Sequence, residues 1–221
     1  MSANVRYYPN YDPLEVLNAA VQIDVATNEV QTYRKGVFVP GAESFPFRRV
    51  LFFAEPLVAS LGGSTAGLGT QPERTAFGSD VARVAPVICY ESVFGQYFTG
   101  YVRAGAQAAF VLTNDGWWDD TAGHRQHNWL SSLRAIETRR AVVRSANMGN
   151  CAHINQRGDV VATTDYGREG WLRATVRLND RVTFYAVWGD LIARISLLTF
   201  GMIFLTNIAR RGIGVTTQDG R

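Results

Sequence analysis

Of the two cysteines in this 221-residue chain, Cys89 stands where a nucleophile would work. It closes the apolar run Val84–Cys89 (VAPVIC), which reads as a strand covered on both faces, and Tyr90-Glu91-Ser92 then opens a turn or helix. In α/β sheets ligands gather beyond the carboxyl ends of strands, and N–H groups at the start of a following turn favour a thiolate or an oxyanion. A lone cysteine is also a common small buried side chain, so position leaves both uses open. Cys151 reads as such a packed residue. His124 and His127 lie three residues apart. A zinc site needs three or four ligands, and no further Cys/His/Asp group of suitable spacing accompanies them, so no metal and no other cofactor is expected and both read as structural. Trp117 and Trp118 form the largest apolar pair in any predicted loop, suited either to an acyl-facing pocket or to packing beneath the loop.

These residues need elements to hold them, and short apolar runs alternating with helical patterns indicate an α/β fold. Asn18–Asp24 and Val30–Tyr33 predict a hairpin across Ala26–Glu29. Phe47–Ser60 suggests a helix ending at Gly62-Gly63, followed by a glycine-rich loop. Thr75–Phe77 and Ala108–Thr113 read as strands, with Gln96–Arg103 as a helix between them. His124–Arg144 has an amphipathic helical pattern. Ser145–Ile154, Val160–Thr164 and Trp171–Arg177 supply further strands, with turns at Gln156–Asp159 and Tyr166-Gly167. No internal repeat is present.

The length suits one well-buried core. A net charge of +3 without a basic, aromatic-interleaved cluster argues against nucleic acid as a partner. The N-terminus has no apolar region of the kind a secretion signal carries. At the other end Ile195–Ala209 runs fifteen residues without a charge, and starting at Leu191 gives nineteen with only Arg194. About 20 residues cross a hydrocarbon core, so this segment is either a membrane-crossing helix or a buried terminal one. If it crosses, Arg210 and Arg211 place its end in the cytoplasm.

An ordered set of motifs narrows the reading. Tyr33-Arg34-Lys35 is followed by Val39-Pro40 with Glu43, then by Ile88-Cys89-Tyr90-Glu91, Asn114-Asp115-Gly116-Trp117-Trp118, Gln126-His127 and Arg134-Ala135-Ile136-Glu137. In this order they resemble the YxK, VPxxE, ICYE, NDxWW, Gln-His and RAxE segments of apolipoprotein N-acyltransferases, from about Tyr7 to Arg211. Those are membrane-anchored members of the nitrilase, or carbon-nitrogen hydrolase, superfamily. The resemblance implies a partial nitrilase-type α-β-β-α sandwich over residues 1–186, a transmembrane helix over 187–211 and a cytoplasmic tail over 212–221. It implies transfer of an acyl chain from a phospholipid to the N-terminal amine of a diacylglyceryl-cysteine lipoprotein through a cysteine thioester. It also implies a bacterial inner-membrane location with the catalytic domain periplasmic.

By the same resemblance Cys89 is the nucleophile, Lys35 the triad lysine, and Glu43 and Glu91 the acidic residues that hold them. A fixed ammonium favours thiolate over thiol and stabilises each tetrahedral oxyanion. Glu43 could return across a Pro40-Gly41 turn to pair with Lys35. Glu91 faces the pocket or caps the following turn, Tyr90 matches a residue near the acyl chain, and Trp117 and Trp118 match the substrate-facing loop. One departure stands out: the family's general base belongs to a W-P-E segment ahead of the hairpin, and neither Glu15 nor Asp12 has that context. The expectation is therefore a piece that turns over poorly alone and needs an N-terminal portion or companion chain. A soluble nitrilase-type amidase and a non-catalytic membrane-bound fragment are the alternatives.

Overall fold

A computed structural model describes residues 17–40, 43 and 69–215, with side chains as far as residue 210. The helix expected over Phe47–Ser60, the loop after it, and Glu15 and Asp12 lie outside the described residues.

The chain divides into two compact units, residues 1–187 and 188–221. In the first, β1 (Ala19–Ile23) and β2 (Val30–Arg34) form the expected antiparallel hairpin, pairing Ala19 with Arg34 and Ile23 with Val30. The turn is local chemistry: Asp24 Oδ1 accepts from the N–H groups of Ala26 and Thr27, and Asn28 takes the left-handed conformation that Asn tolerates. Side chains tie the hairpin to the second sheet, where Gln22 and Gln31 both donate to Gly78 O and Gly78 N donates back to Gln31.

That second sheet has, among the described residues, six strands in sequential order. They are β3 (Phe77–Gly78), β4 (Arg83–Ile88), β5 (Ala108–Thr113), β6 (Ala141–Ala146), β7 (Ala152–Ile154) and β8 (Val160–Thr163). The central trio β4, β5 and β6 is parallel and the outer pairings are antiparallel. Parallel strands need crossovers, supplied by α1 (Gly95–Arg103) and α2 (Ala122–Thr138). Burial on both faces explains the near-continuous apolar sequence of β4, whose Ala85, Val87 and Ile88 join Phe98, Tyr101, Val111, Val142 and Ile154 in the core.

Three boundaries depart from the sequence reading. The helical pattern over His124–Arg144 is interrupted: α2 stops at Thr138, Arg139 turns left-handed with φ 52°, and Ala141–Arg144 belong to β6. The β-branched pair Val142-Val143 favours the strand. Arg140 fixes the junction, because its buried guanidinium donates to the carbonyls of Ala106, Thr138 and Arg181. The strand expected over Ser145–Ile154 is split between β6 and β7 by Asn147–Asn150, where Gly149 has φ 129°. Trp171–Arg177 forms no strand: Trp171 and its neighbours are exposed, and no ladder partner pairs with them among the described residues.

The second unit carries α4 (Leu191–Val215), which follows the short helix α3 (Phe184–Trp188). Its segment Leu191–Arg210 has a mean hydropathy of 1.8 and no residue buried, so it is long and apolar enough to cross a membrane.

Candidate active site

Three parallel strands end side by side, and their carboxyl ends floor one cavity of about 600 Å³. Ile88 and Cys89 come from the end of β4, Thr113 and Asn114 from β5, and Ser145, Ala146 and Asn147 from β6. Asn18 and Lys35, flanking the hairpin, complete the wall with Glu43 and Trp117. This is the place where open α/β sheets concentrate ligands.

Cys89 begins a 3₁₀ turn (Cys89–Val93) with φ 48°. A left-handed conformation costs a non-glycine residue about 1–3 kcal/mol, and it persists only where the surroundings over-determine it. Here the Cys89 carbonyl accepts from Ser92 Oγ at 2.8 Å, and His127 Nε2 lies 3.2 Å away. Cys89 remains part of the cavity wall.

Lys35 is fully buried. Its Nζ donates to Glu43 Oε1 at 2.8 Å and Oε2 at 2.6 Å, and Glu43 also accepts from Val39 N and Asn18 Nδ2. The ammonium is thus charge-compensated, and Lys35 lines the same cavity as Cys89. Among the described residues Glu43 is the one carboxylate lining that cavity.

Glu91 does not line it. Its carboxylate is buried below, where Oε1 accepts from Tyr33 Oη, Tyr97 Oη and Gly36 N, and Oε2 from Ile88 N and Tyr101 Oη. It therefore caps the 3₁₀ turn through Ile88 N and also clamps the backbone beside Lys35 to the backbone before Cys89. Burial pushes the Glu91 carboxyl upward, opposed by the hydrogen bonds that favour its charged form. Burial and the neighbouring Glu91 charge raise the hydroxyls of Tyr33, Tyr97 and Tyr101.

The aromatic candidates separate. Trp117 is exposed and lines the cavity, whereas Trp118 is half-buried with its ring 5.1 Å from the ring of His127. Tyr90 is half-buried edge-to-face on Phe94, outside the cavity lining. The histidines face different partners: His124 contacts Asp120, Asn150 and the Tyr166 ring, while His127 lies between Asp115 and Ser92. Cys151 is half-exposed, approached by Ala146 N at 3.4 Å, and lines a neighbouring cavity of about 730 Å³ with Met148, Gly149 and Trp171.

Sequence reasoning missed Asn18, Asn114 and Asn147 in the wall, and the three tyrosines around Glu91. The asparagines could have been found by asking which residues end the parallel strands. Tyr33 opens the Tyr33-Arg34-Lys35 motif but Tyr97 and Tyr101 belong to none, and the three meet only through the fold.

Comparisons with known proteins bear on the family and the fold. The chain is 34% identical over 198 residues to an apolipoprotein N-acyltransferase of Chlorobaculum tepidum and 31% identical over 180 residues to one of Geobacter metallireducens. These alignments take in 88% and 81% of the chain but 37% and 34% of the relatives, so it spans little more than a third of their length. A solved amidase from a Nesterenkonia species shares the fold at 15% identity, with a TM-score of 0.52 over 83% of this chain and 62% of that one. The carbon-nitrogen hydrolase family model matches residues 2–185. With that match over most of its length, the chain belongs to the carbon-nitrogen hydrolase family.

Proposed function

We propose that this chain is the cysteine-bearing part of an apolipoprotein N-acyltransferase. The observation that carries the reading is the shared cavity of Cys89 and the buried, glutamate-held ammonium of Lys35. The relatives' names supply the substrate class.

In this reading the Cys89 thiolate attacks the ester carbonyl of a phospholipid acyl chain. The tetrahedral oxyanion collapses with loss of the glycerol oxygen, which takes up a proton and leaves as a lysophospholipid, and the acyl group stays on sulfur as a thioester. The free amine of a diacylglyceryl-cysteine lipoprotein then attacks the thioester. The C–S bond breaks, an amide forms, and the amine's proton returns to the thiolate. Lys35 favours the thiolate and stabilises each oxyanion, and a preorganised donor of this kind contributes about 3 kcal/mol. Glu43 keeps the ammonium in place, and Glu91 holds the two backbones that carry the pair. Trp117 offers an apolar wall to the acyl chain, with Trp118 and Tyr90 supporting it from outside the cavity.

Residues 1–186 form the catalytic portion in this proposal. The helix over 187–211 crosses the inner membrane, and the tail over 212–221 lies in the cytoplasm, leaving the cavity on the periplasmic side. The base that takes the thiol proton comes from a segment or companion chain beyond those described, since Glu43 is already committed to Lys35. The isolated chain accordingly forms thioester slowly and turns over poorly.

The test is to incubate the detergent-solubilised chain with a phospholipid carrying a labelled acyl group and to map adducts by mass spectrometry, with Cys89→Ala as control. An acyl mass on Cys89, faster when the N-terminal portion of a relative is added, is the expected result. Absence of any adduct under both conditions favours the non-catalytic fragment, which the single cavity carboxylate among the described residues also supports. Rapid hydrolysis of small amides without detergent would favour a soluble amidase.

A further inference from the structure

Beneath Cys89 lies a second array of chemically capable residues that the proposed reaction leaves unused. Ser92 Oγ is 3.0 Å from His127 Nε2, His127 Nδ1 is 2.9 Å from Asp115 Oδ1, and Arg144 is paired with the other oxygen of Asp115. Order and spacing imitate a serine hydrolase triad. The surroundings forbid that use: Ser92 is fully buried, neither it nor His127 lines either of the two cavities described above, and its hydroxyl proton is given to the Cys89 carbonyl.

We infer that Asp115, His127 and Ser92 form a positioning relay that sets the backbone of Cys89, an inference that rests on Cys89 being the reactive thiol. Three observations converge on one atom. Cys89 holds a conformation that its residue type avoids. Its carbonyl is met by Ser92 Oγ at 2.8 Å and by His127 Nε2 at 3.2 Å. His127 is aimed there by Asp115: burial alone would raise that carboxyl, but the His127 hydrogen bond and the Arg144 guanidinium outweigh it and hold Asp115 below the ordinary carboxylate range. Asp115 Oδ1 at 2.9 Å and the Arg144 guanidinium at 3.1 Å both lie on Nδ1, which fixes the ring and turns Nε2 toward Cys89; a carbonyl only accepts, so that contact requires the proton on Nε2. The three members come from the turn after β4, the segment after β5 and helix α2, and Arg144, which pairs with Asp115, comes from strand β6. Their meeting point is the carbonyl of the residue whose sulfur must face Lys35. None of them touches substrate, so each acts through Cys89.

Two substitutions separate this role from general support. His127→Asn keeps an amide at the Nδ1 position facing Asp115 but ends short of Cys89. His127→Gln places its amide at the Nε2 position. The readout is iodoacetamide labelling of the detergent-solubilised full chain, with rates at Cys89 and Cys151 followed separately by peptide mass spectrometry. Labelling of Cys89 is expected to fall about tenfold in His127→Asn, to recover most of the wild-type rate in His127→Gln, and to leave Cys151 unchanged. Ser92→Ala, which removes only the second hydrogen bond to that carbonyl, is expected to slow Cys89 about threefold, and it decides the matter should His127→Asn fail to fold. Wild-type rates in both His127→Asn and Ser92→Ala, equal losses in the Asn and Gln variants, or parallel changes at Cys151 would overturn the relay. A wild-type Cys89 that reacts no faster than Cys151 would instead overturn the nucleophile assignment, and the relay with it.

Discussion

Lys35 is bound by both oxygens of Glu43, so the cationic charge beside the cavity is fixed in position and stripped of water at the same time. Removing one partner of such a pair differs from replacing the other. Glu43→Gln leaves a buried ammonium uncompensated, and because Glu43 is 18% exposed the cost belongs at the low end of the usual range, about 3 kcal/mol. Lys35→Met removes the charge that burial penalises while leaving Glu43 its bonds from Val39 and Asn18. Thermal unfolding should therefore show a larger loss for Glu43→Gln than for Lys35→Met, although labelled-lipid capture at Cys89 disappears in both. Equal stability losses would contradict the picture of a desolvated, glutamate-dependent cation.

Asp115 gives the fold a signed dependence on acid. Its folded pKa is depressed, so its contribution is present above its ordinary value of 3.8 and is lost as pH falls below that through the lower folded value. Glu91 has the opposite sign: its raised folded value means stability that is full below the ordinary 4.5 and declines as pH rises through the folded value. Denaturant unfolding between pH 7 and pH 3 should show Glu91→Gln losing the decline on the alkaline side and Asp115→Asn losing the acid sensitivity. If either variant keeps the wild-type slope in its own window, that group is not the one titrating.

Gly149 and Gly167 both have positive φ, yet they are not equivalent. A Cβ on Gly149 would sit 2.7 Å from Asp115 Oδ2, whereas a Cβ on Gly167 would meet nothing within 4 Å. Gly167→Ala carries only the backbone penalty of about 1 kcal/mol, while Gly149→Ala adds a clash with the carboxylate that orients His127 and should cost about 2–4 kcal/mol. Differential scanning fluorimetry of the pair would show it, and indistinguishable midpoints would mean that the Asn147–Asn150 turn yields freely.

Trp117 and Trp118 should divide function from stability. Trp117→Ala removes an exposed wall of the cavity and is expected to weaken capture of long-chain lipid about tenfold with little change in thermal midpoint. Trp118→Ala removes the ring packed on His127 and should lower the midpoint. The reverse pattern would exchange the roles of the two rings.

The sequence by itself determined the family, the hairpin, the central strands and the terminal apolar segment. Each is written in contiguous residues: VAPVIC can only be comfortable buried on both faces, and Asp24 with Asn28 makes its turn without outside help. The ordered motifs contain Cys89, Lys35 and Glu43. Tertiary structure decided what adjacency cannot encode. Whether α2 continued past Thr138 depended on Arg140 finding carbonyls from two other segments besides that of Thr138, and whether Trp171–Arg177 became a strand depended on a ladder partner that the described residues do not supply. Glu91 could equally have faced the cavity, until Tyr33, Tyr97, Tyr101 and two backbone N–H groups enclosed it. His127 looked structural from its helix alone. Only the convergence of four segments put its imidazole under the Cys89 carbonyl, because hydrogen bonds between residues 12 to 38 positions apart form where folding brings their atoms within 3 Å or so of each other.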